Sequence, residues 1–207
     1  MSTITKFFSD IIYSKQQELE TMYSGLEIIC GPMRSGKTTE LRRRLGVFSS
    51  IGFKVLYVNS SKDTRKGPDG SVAFSTHNSE LSGKNDSISC QKVTFIKEVE
   101  FSPFDVIGID EAQFFKEEDF PEEIMEMVRS GKRVIISGLD GDFEQKKMGK
   151  FLELLPQADS VAKLLASCDF CAKRKLMVPA PFTKRLTEDK EQEVVGNLYA
   201  SVCRACL

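Results

Sequence analysis

The eight residues Gly31-Pro-Met-Arg-Ser-Gly36-Lys37-Thr38 constrain this chain more than any other feature. They match the phosphate-binding signature G-x-x-x-x-G-K-[ST] in full. The glycines let the backbone curl until its amide N–H groups point inward as an anion nest. The helix that follows adds the partial positive charge of its N-terminus. Such a loop needs a strand to deliver it and a helix to receive it. Both are legible: residues 26–30 form an apolar run, and 36–50 carry Leu41, Leu45 and Phe48 on one helical face. The whole loop, Gly31, Pro32, Met33, Arg34, Ser35, Gly36, Lys37 and Thr38, is therefore expected to hold a nucleoside triphosphate. Lys37 is expected at the β- and γ-phosphates, and the Thr38 hydroxyl on Mg²⁺.

Further strands are expected at 54–58, 105–109 and 133–137, with a helix at 121–130 that has Pro early and Gly131 as its stop. Buried β-branched runs alternating with helices imply a parallel sheet covered by helices on both faces, an α/β P-loop domain. Residues 59–92 break the rhythm with Ser, Asn, Gly, Asp and Lys, as a polar insertion or a functional flap does. The sheet pattern stops at about residue 160. The expected organisation is an N-terminal extension over 1–24, the P-loop domain over 25–160 and a small cysteine-bearing unit over 161–207.

Asp110 closes the strand 105–109, where a carboxylate that holds Mg²⁺ opposite Thr38 belongs. Glu111 follows at once. Adjacent residues at the end of an extended strand point opposite ways, so the two are expected to divide their work. One faces the metal and the other a nucleophile, which is an acceptor hydroxyl in a kinase and water in an ATPase. Spacing does not separate these two chemistries.

Of six cysteines, four form the knuckles Cys168-Asp-Phe-Cys171 and Cys203-Arg-Ala-Cys206, with 31 residues between them. Paired knuckles of this kind are the usual four-thiolate set of a structural zinc site. A closed four-ligand site is structural and not catalytic. The span between the pairs then becomes a loop stapled at its root, able to act as a lid. Cys30 and Cys90 read as ordinary thiols, and Arg42, Arg43 and Arg44 as a solvated helix face.

The net charge of −1 argues against a nucleic-acid or anionic-membrane partner. No apolar run approaches the roughly 18 residues that span a bilayer. Residues 1–24 lack the apolar core of a secretory signal and contain Asp10, Glu18 and Glu20, which speak against a transit peptide. A short amphipathic helix around Phe8, Ile11 and Ile12 and a frayed extension are both open readings. A reducing, cytoplasmic setting follows, which also favours metal over disulfide for the clustered cysteines.

Taken in order, 31–41, 62–65, 105–115, 138–143, 183–186 and the two knuckles resemble the cytosolic-type (type II) thymidine kinases over about residues 25–206. The resemblance implies transfer of the γ-phosphate of ATP to the 5′-hydroxyl of thymidine, and of deoxyuridine. It implies Glu111 as catalytic base and Asp110 as the Mg²⁺-site acid, with Asp63, Arg65 and Gln113 on the ATP side. It also implies a nucleoside pocket of Met33, Phe114, Leu139, Phe143 and Tyr199. The segment Gln192, Glu193, Val194, Val195 and Gly196 would read the base edge. The zinc-rooted span then corresponds to the family's lasso. A homotetramer inhibited by thymidine triphosphate (dTTP) is implied as well. Met148 stands where relatives often carry Phe, and the spacing from Gly196 to Tyr199 is shorter than in animal members.

Three rival readings are weaker. A nucleic-acid ATPase predicts a basic groove, a GTP switch predicts an absent [NT]-K-x-D motif, and a zinc-ribbon interaction module leaves Glu111 unexplained.

Overall fold

In a computed structural model of the chain, residues 24–63, 88–188 and 198–207 are described. The run Gly-Leu-Glu-Ile-Ile-Cys-Gly forms β1 (Gly25–Gly31), buried along its length. The chain then turns through the glycine-rich loop into α1 (Lys37–Ser50), which presses Leu41 and Leu45 onto the sheet. β2 (Val55–Ser60) follows, then β3 (Ile88–Val93) and β4 (Val106–Ile109). α2 (Phe120–Arg129) leads to β5 (Arg133–Leu139), and β6 (Ser160–Lys163) completes the sheet. All six strands run parallel, in the order β3-β2-β4-β5-β1-β6.

Period-two alternation divides the strands between two cores. Ile28, Leu56, Val58, Ile107, Ile109 and Ile136 face α2 and the turns around Phe115, Phe151 and Leu154. Ile29, Val55, Tyr57, Val106 and Ile135 face Leu41 and Leu45 of α1. Helical cover on both faces is what parallel strands with two apolar faces require.

The strands and helices expected between residues 25 and 160 are all present, and the parallel sheet has two further strands that were not expected; residues 1–23, with the helix read around Phe8, Ile11 and Ile12, lie outside the described residues. β3 begins inside the polar stretch 59–92, and β6 straddles the expected boundary at 160, so the sheet runs on to Lys163. Both are edge strands and largely unburied, so neither needs the apolar run that marks a central strand. Arg44 also departs from the solvated face expected of it. It pairs with Glu40 on its own helix and with Glu27 of β1, which Arg133 grips from the other side.

Beyond the sheet, β7 (Ala166–Ser167) pairs with β8 (Pro179–Ala180), and β9 (Phe182–Arg185) with β10 (Tyr199–Val202), each antiparallel. The short helix α3 (Asp169–Ala172) carries Cys171. These elements share a small core of Ala166, Cys168, Cys171, Ala180, Ala200, Val202 and Cys203. Among the described residues, no helix is long and apolar enough to cross a membrane.

Candidate active site and metal centre

The functional side chains gather at the carboxyl edge of the parallel sheet, the place where open α/β sheets bind ligands. Gly31 leaves β1 with φ 146°, and a Cβ there would sit 2.4 Å from the Leu164 carbonyl, so glycine is required. Gly36 enters α1 in the left-handed conformation. Inside the loop, Lys37 is buried and its ammonium donates to the Pro32 carbonyl at 2.7 Å, while Ser35 Oγ donates to the same oxygen at 2.9 Å.

Asp110, just past β4, is 1% exposed. Tyr57 Oη donates to its Oδ2 at 2.8 Å and Ser137 Oγ to its Oδ1, and the Thr38 side chain hydrogen-bonds to it as well. Burial pushes this carboxyl up, the neighbouring Glu111 charge adds to that, and the three hydroxyl donors offset part of it. Burial and Asp110 together push the Tyr57 phenol well above its ordinary value, so it remains a donor. A buried carboxylate beside the P-loop hydroxyl is a hard-oxygen donor pair suited to Mg²⁺.

Glu111 adopts φ 51°, ψ 41°, left-handed backbone that costs a non-glycine residue about 1–3 kcal/mol. Three bonds hold the turn. Glu111 N donates to Asp110 Oδ1 at 2.9 Å, Phe114 N donates to the Glu111 carbonyl at 3.0 Å, and Gln113 Nε2 donates to Glu111 Oε2. The side chains of the two carboxylates thus have different partners. The cause is the left-handed turn and not strand alternation. Gln113, expected on the ATP side, is fully buried, and its Oε1 accepts from Leu139 N at 3.0 Å. Asp63 is buried beyond β2, where Asn59 Nδ2 donates to it at 2.9 Å.

The C-terminal elements close over the loop tip. Met33 N donates to Thr183 Oγ1 at 3.0 Å, and Ser201 Oγ donates to the Met33 carbonyl at 2.7 Å. Arg34 turns toward this unit: it pairs with Asp169 at 3.3 Å and donates to the Tyr199 carbonyl. A half-exposed ion pair contributes about 0–1 kcal/mol and a hydrogen bond about 1. Arg34→Ala is therefore expected to lower the melting temperature by only about 2–8 °C. A thermal melt checks this, and an unchanged midpoint would remove the latch.

Of the expected pocket residues, Phe114, Leu139 and Phe143 are half-buried and Tyr199 is buried. Arg185 ties two of them together. Its guanidinium lies 3.8 Å from the Phe143 ring centroid and 5.1 Å from that of Tyr199, and it donates to Tyr199 Oη at 2.5 Å. Met148 is buried nearby in sequence, just before Gly149. Arg65, Gln192, Glu193, Val194, Val195 and Gly196 lie outside the described residues. Sequence reasoning missed Tyr57, Ser137, Ser201 and Asp169. For Tyr57 and Ser137 a signal existed: a hydroxyl near the carboxyl end of an apolar strand.

Cys168, Cys171, Cys203 and Cys206 bring their sulfurs within 4.8 Å of one another. Cys171 Sγ lies 3.9 Å from Cys203 Sγ and 3.8 Å from Cys206 Sγ. Disulfides require about 2.05 Å. Four thiolates at about 2.3 Å from a tetrahedral zinc ion stand about 3.8 Å apart, so the donor set fits that ion. Burial raises the Cys168 thiol, but backbone amides of Cys203, Cys171 and Phe170 directed at its sulfur outweigh burial and lower it. Amides aimed at sulfur are what a coordinating thiolate needs.

A strand, a glycine-rich loop and a helix, with a buried carboxylate hydrogen-bonded to the first helical hydroxyl, define a P-loop nucleotide-binding domain. Similarity to known proteins narrows that class. A family model described as thymidine kinase matches residues 24–207. The cytosolic thymidine kinase of Homo sapiens is 40% identical over 185 residues, covering 87% of this chain and 72% of that protein. That of Gallus gallus is 42% identical over 183 residues, covering 87% and 75%. The thymidine kinase of Vaccinia virus (strain Western Reserve) is 38% identical over 185 residues, covering 87% and 95%. The chain belongs to the thymidine kinase family, and is a kinase.

Proposed function

We propose that the chain transfers the γ-phosphoryl group of ATP to the 5′-hydroxyl of thymidine, giving dTMP, with Glu111 as general base. The observation that carries this reading is the division of labour at the sheet edge. Asp110 is bound to Thr38 at the end of the P-loop, while Glu111 is turned away from it into a separate hydrogen-bonded position. One carboxylate then serves the nucleotide metal and the next serves the acceptor.

In this mechanism the loop amides, Lys37 and the start of α1 cradle the phosphates. Thr38 and Asp110 would hold Mg²⁺, which supplies neutralisation of the charge on the β- and γ-oxygens when bound. Glu111 accepts the proton of the 5′-hydroxyl as the oxygen attacks phosphorus in line with the departing ADP oxygen. Met33, Phe114, Leu139, Phe143 and Tyr199 wall the nucleoside, with Asp63 and Arg65 near the phosphates and acceptor. Residues 192–196 read the base through their backbone. Cys168, Cys171, Cys203 and Cys206 would hold a structural zinc ion at the root of that segment. The reading includes a cytoplasmic homotetramer restrained by dTTP.

An ADP-release assay over four nucleosides tests the acceptor. Deoxyuridine lacks one methyl group, so its kcat/KM is expected within about 10–200-fold of that of thymidine. Deoxycytidine reverses the donor and acceptor pattern of the base edge and should fall below both, as should deoxyguanosine. Absence of thymidine turnover, or equal turnover of deoxyguanosine, defeats the reading.

A further inference from the structure

We infer that Gln113 is a positioning residue that fixes the carboxylate of Glu111 and locks it to the wall of the acceptor pocket at Leu139. The inference rests on the reading of Glu111 as base and deepens it. Gln113 sits in the short turn Ala112–Phe114 and is fully buried. One end of its amide donates to Glu111 Oε2, and the other accepts from Leu139 N at 3.0 Å. The neutral side chain thus spans from the carboxyl end of β4 to that of β5.

The surroundings leave Gln113 no freedom. A Cβ on Gly149 would stand 2.6 Å from Gln113 Cα, and one on Gly138 would stand 3.1 Å from Gln113 Oε1 and 2.8 Å from the Phe151 ring. Two glycines therefore let the backbone and the Phe151 ring close around this one amide. A fully buried amide with a donor committed to Glu111 and an acceptor committed to Leu139 N is held by the protein at both ends. Its donor end meets Glu111, whose left-handed backbone needs such support to persist. A misplacement of 1 Å in a reacting group costs on the order of 10²-fold in rate, so an amide that sets the carboxylate acts on kcat.

Gln113→Glu keeps an acceptor for Leu139 N but replaces the donor to Glu111 with a second carboxyl, so its loss combines a missing hydrogen bond with repulsion between neighbouring carboxylates. Gln113→Met removes both ends without adding charge. Both variants are expected to lose about 10–10²-fold in kcat, with KM for ATP and thymidine changed by no more than about twofold. In a Glu111→Ala background, Gln113→Met should cause no further loss, since groups acting as a unit are non-additive. ATP binding and thermal melts on each variant confirm that it is folded. Wild-type kcat in both variants overturns the inference. So does a rise in KM for ATP at unchanged kcat, which returns Gln113 to nucleotide contact, or an equal loss in the Glu111→Ala background. If Glu111→Ala itself keeps turnover, the base reading falls and this inference with it. If Glu111→Ala loses turnover while the Gln113 variants do not, only the present inference falls.

Discussion

Glu111→Gln is expected to turn over thymidine about 10²–10⁴-fold more slowly than the wild type, the usual worth of a positioned acid–base group, while ATP still binds. The shape is nearly unchanged, so the left-handed turn at φ 51° and the contact with Gln113 are retained by an amide of the same size. The loss should lie in kcat, because the group acts on a proton that moves only in the transition state. Asp110→Asn provides the contrast. The Asp110 carboxylate is bonded to the hydroxyls of Tyr57, Ser137 and Thr38 and to the Glu111 backbone amide, and it is the carboxylate that sits against the P-loop hydroxyl. Its loss should weaken Mg²⁺-dependent ATP binding as well as rate. Steady-state turnover with ATP titration on both variants separates the two roles. Near wild-type turnover by Glu111→Gln would remove Glu111 from the role of base and leave proton transfer to water.

Much of this division was legible in the sequence, and the reason is locality. The P-loop is a contiguous signature, so its residues, the strand before it and the helix after it follow from one stretch of eight. Asp110 and Glu111 follow likewise from the end of one apolar strand. What joins those stretches was not legible. Tyr57 and Ser137 come from β2 and β5, which flank β4, and only the strand order makes them neighbours of Asp110. The grip of Thr183 and Ser201 on Met33 spans 150 and 168 residues of sequence. Composition hid the two edge strands, because a strand with one open side needs few apolar residues. Gln113 shows the limit most clearly. Its place in the motif gives no sign of its burial or of the bond to Leu139 N that sets it between two strands.

Removal of the metal expected at the four cysteines should unfold the C-terminal unit and take turnover with it. The packing there is too slight to hold by itself. Among the described residues, the shared core is alanines and cysteines with Val202, edged by partly buried Phe170, Val178 and Phe182, around two sheets of two strands each. An isolated two-stranded hairpin is marginally stable at best in water, and fully burying a valine contributes only about 1.5 kcal/mol. Zinc-finger peptides gain on the order of 10–16 kcal/mol from their ion, so metal coordination outweighs every other source of stability open to such a unit. The consequence reaches the donor site. Thr183 and Ser201 hold the Met33 backbone, and Asp169 with the Tyr199 carbonyl holds Arg34, so the P-loop tip loses its outer wall when this unit opens. Arg185, which positions Phe143 and Tyr199, goes with it. Metal analysis of the full chain should find one zinc ion per chain, held by the four clustered cysteines. Cys171→Ser, which removes a ligand outright, should lower zinc affinity by more than the roughly 10–10²-fold that loss of a ligand's supporting contact costs. Limited proteolysis should then cut within the C-terminal unit while the sheet up to Lys163 survives. A zinc-free protein that keeps wild-type turnover and protease resistance would show that the four thiols pack as side chains alone, and the coupling from cysteine cluster to P-loop would fall with it.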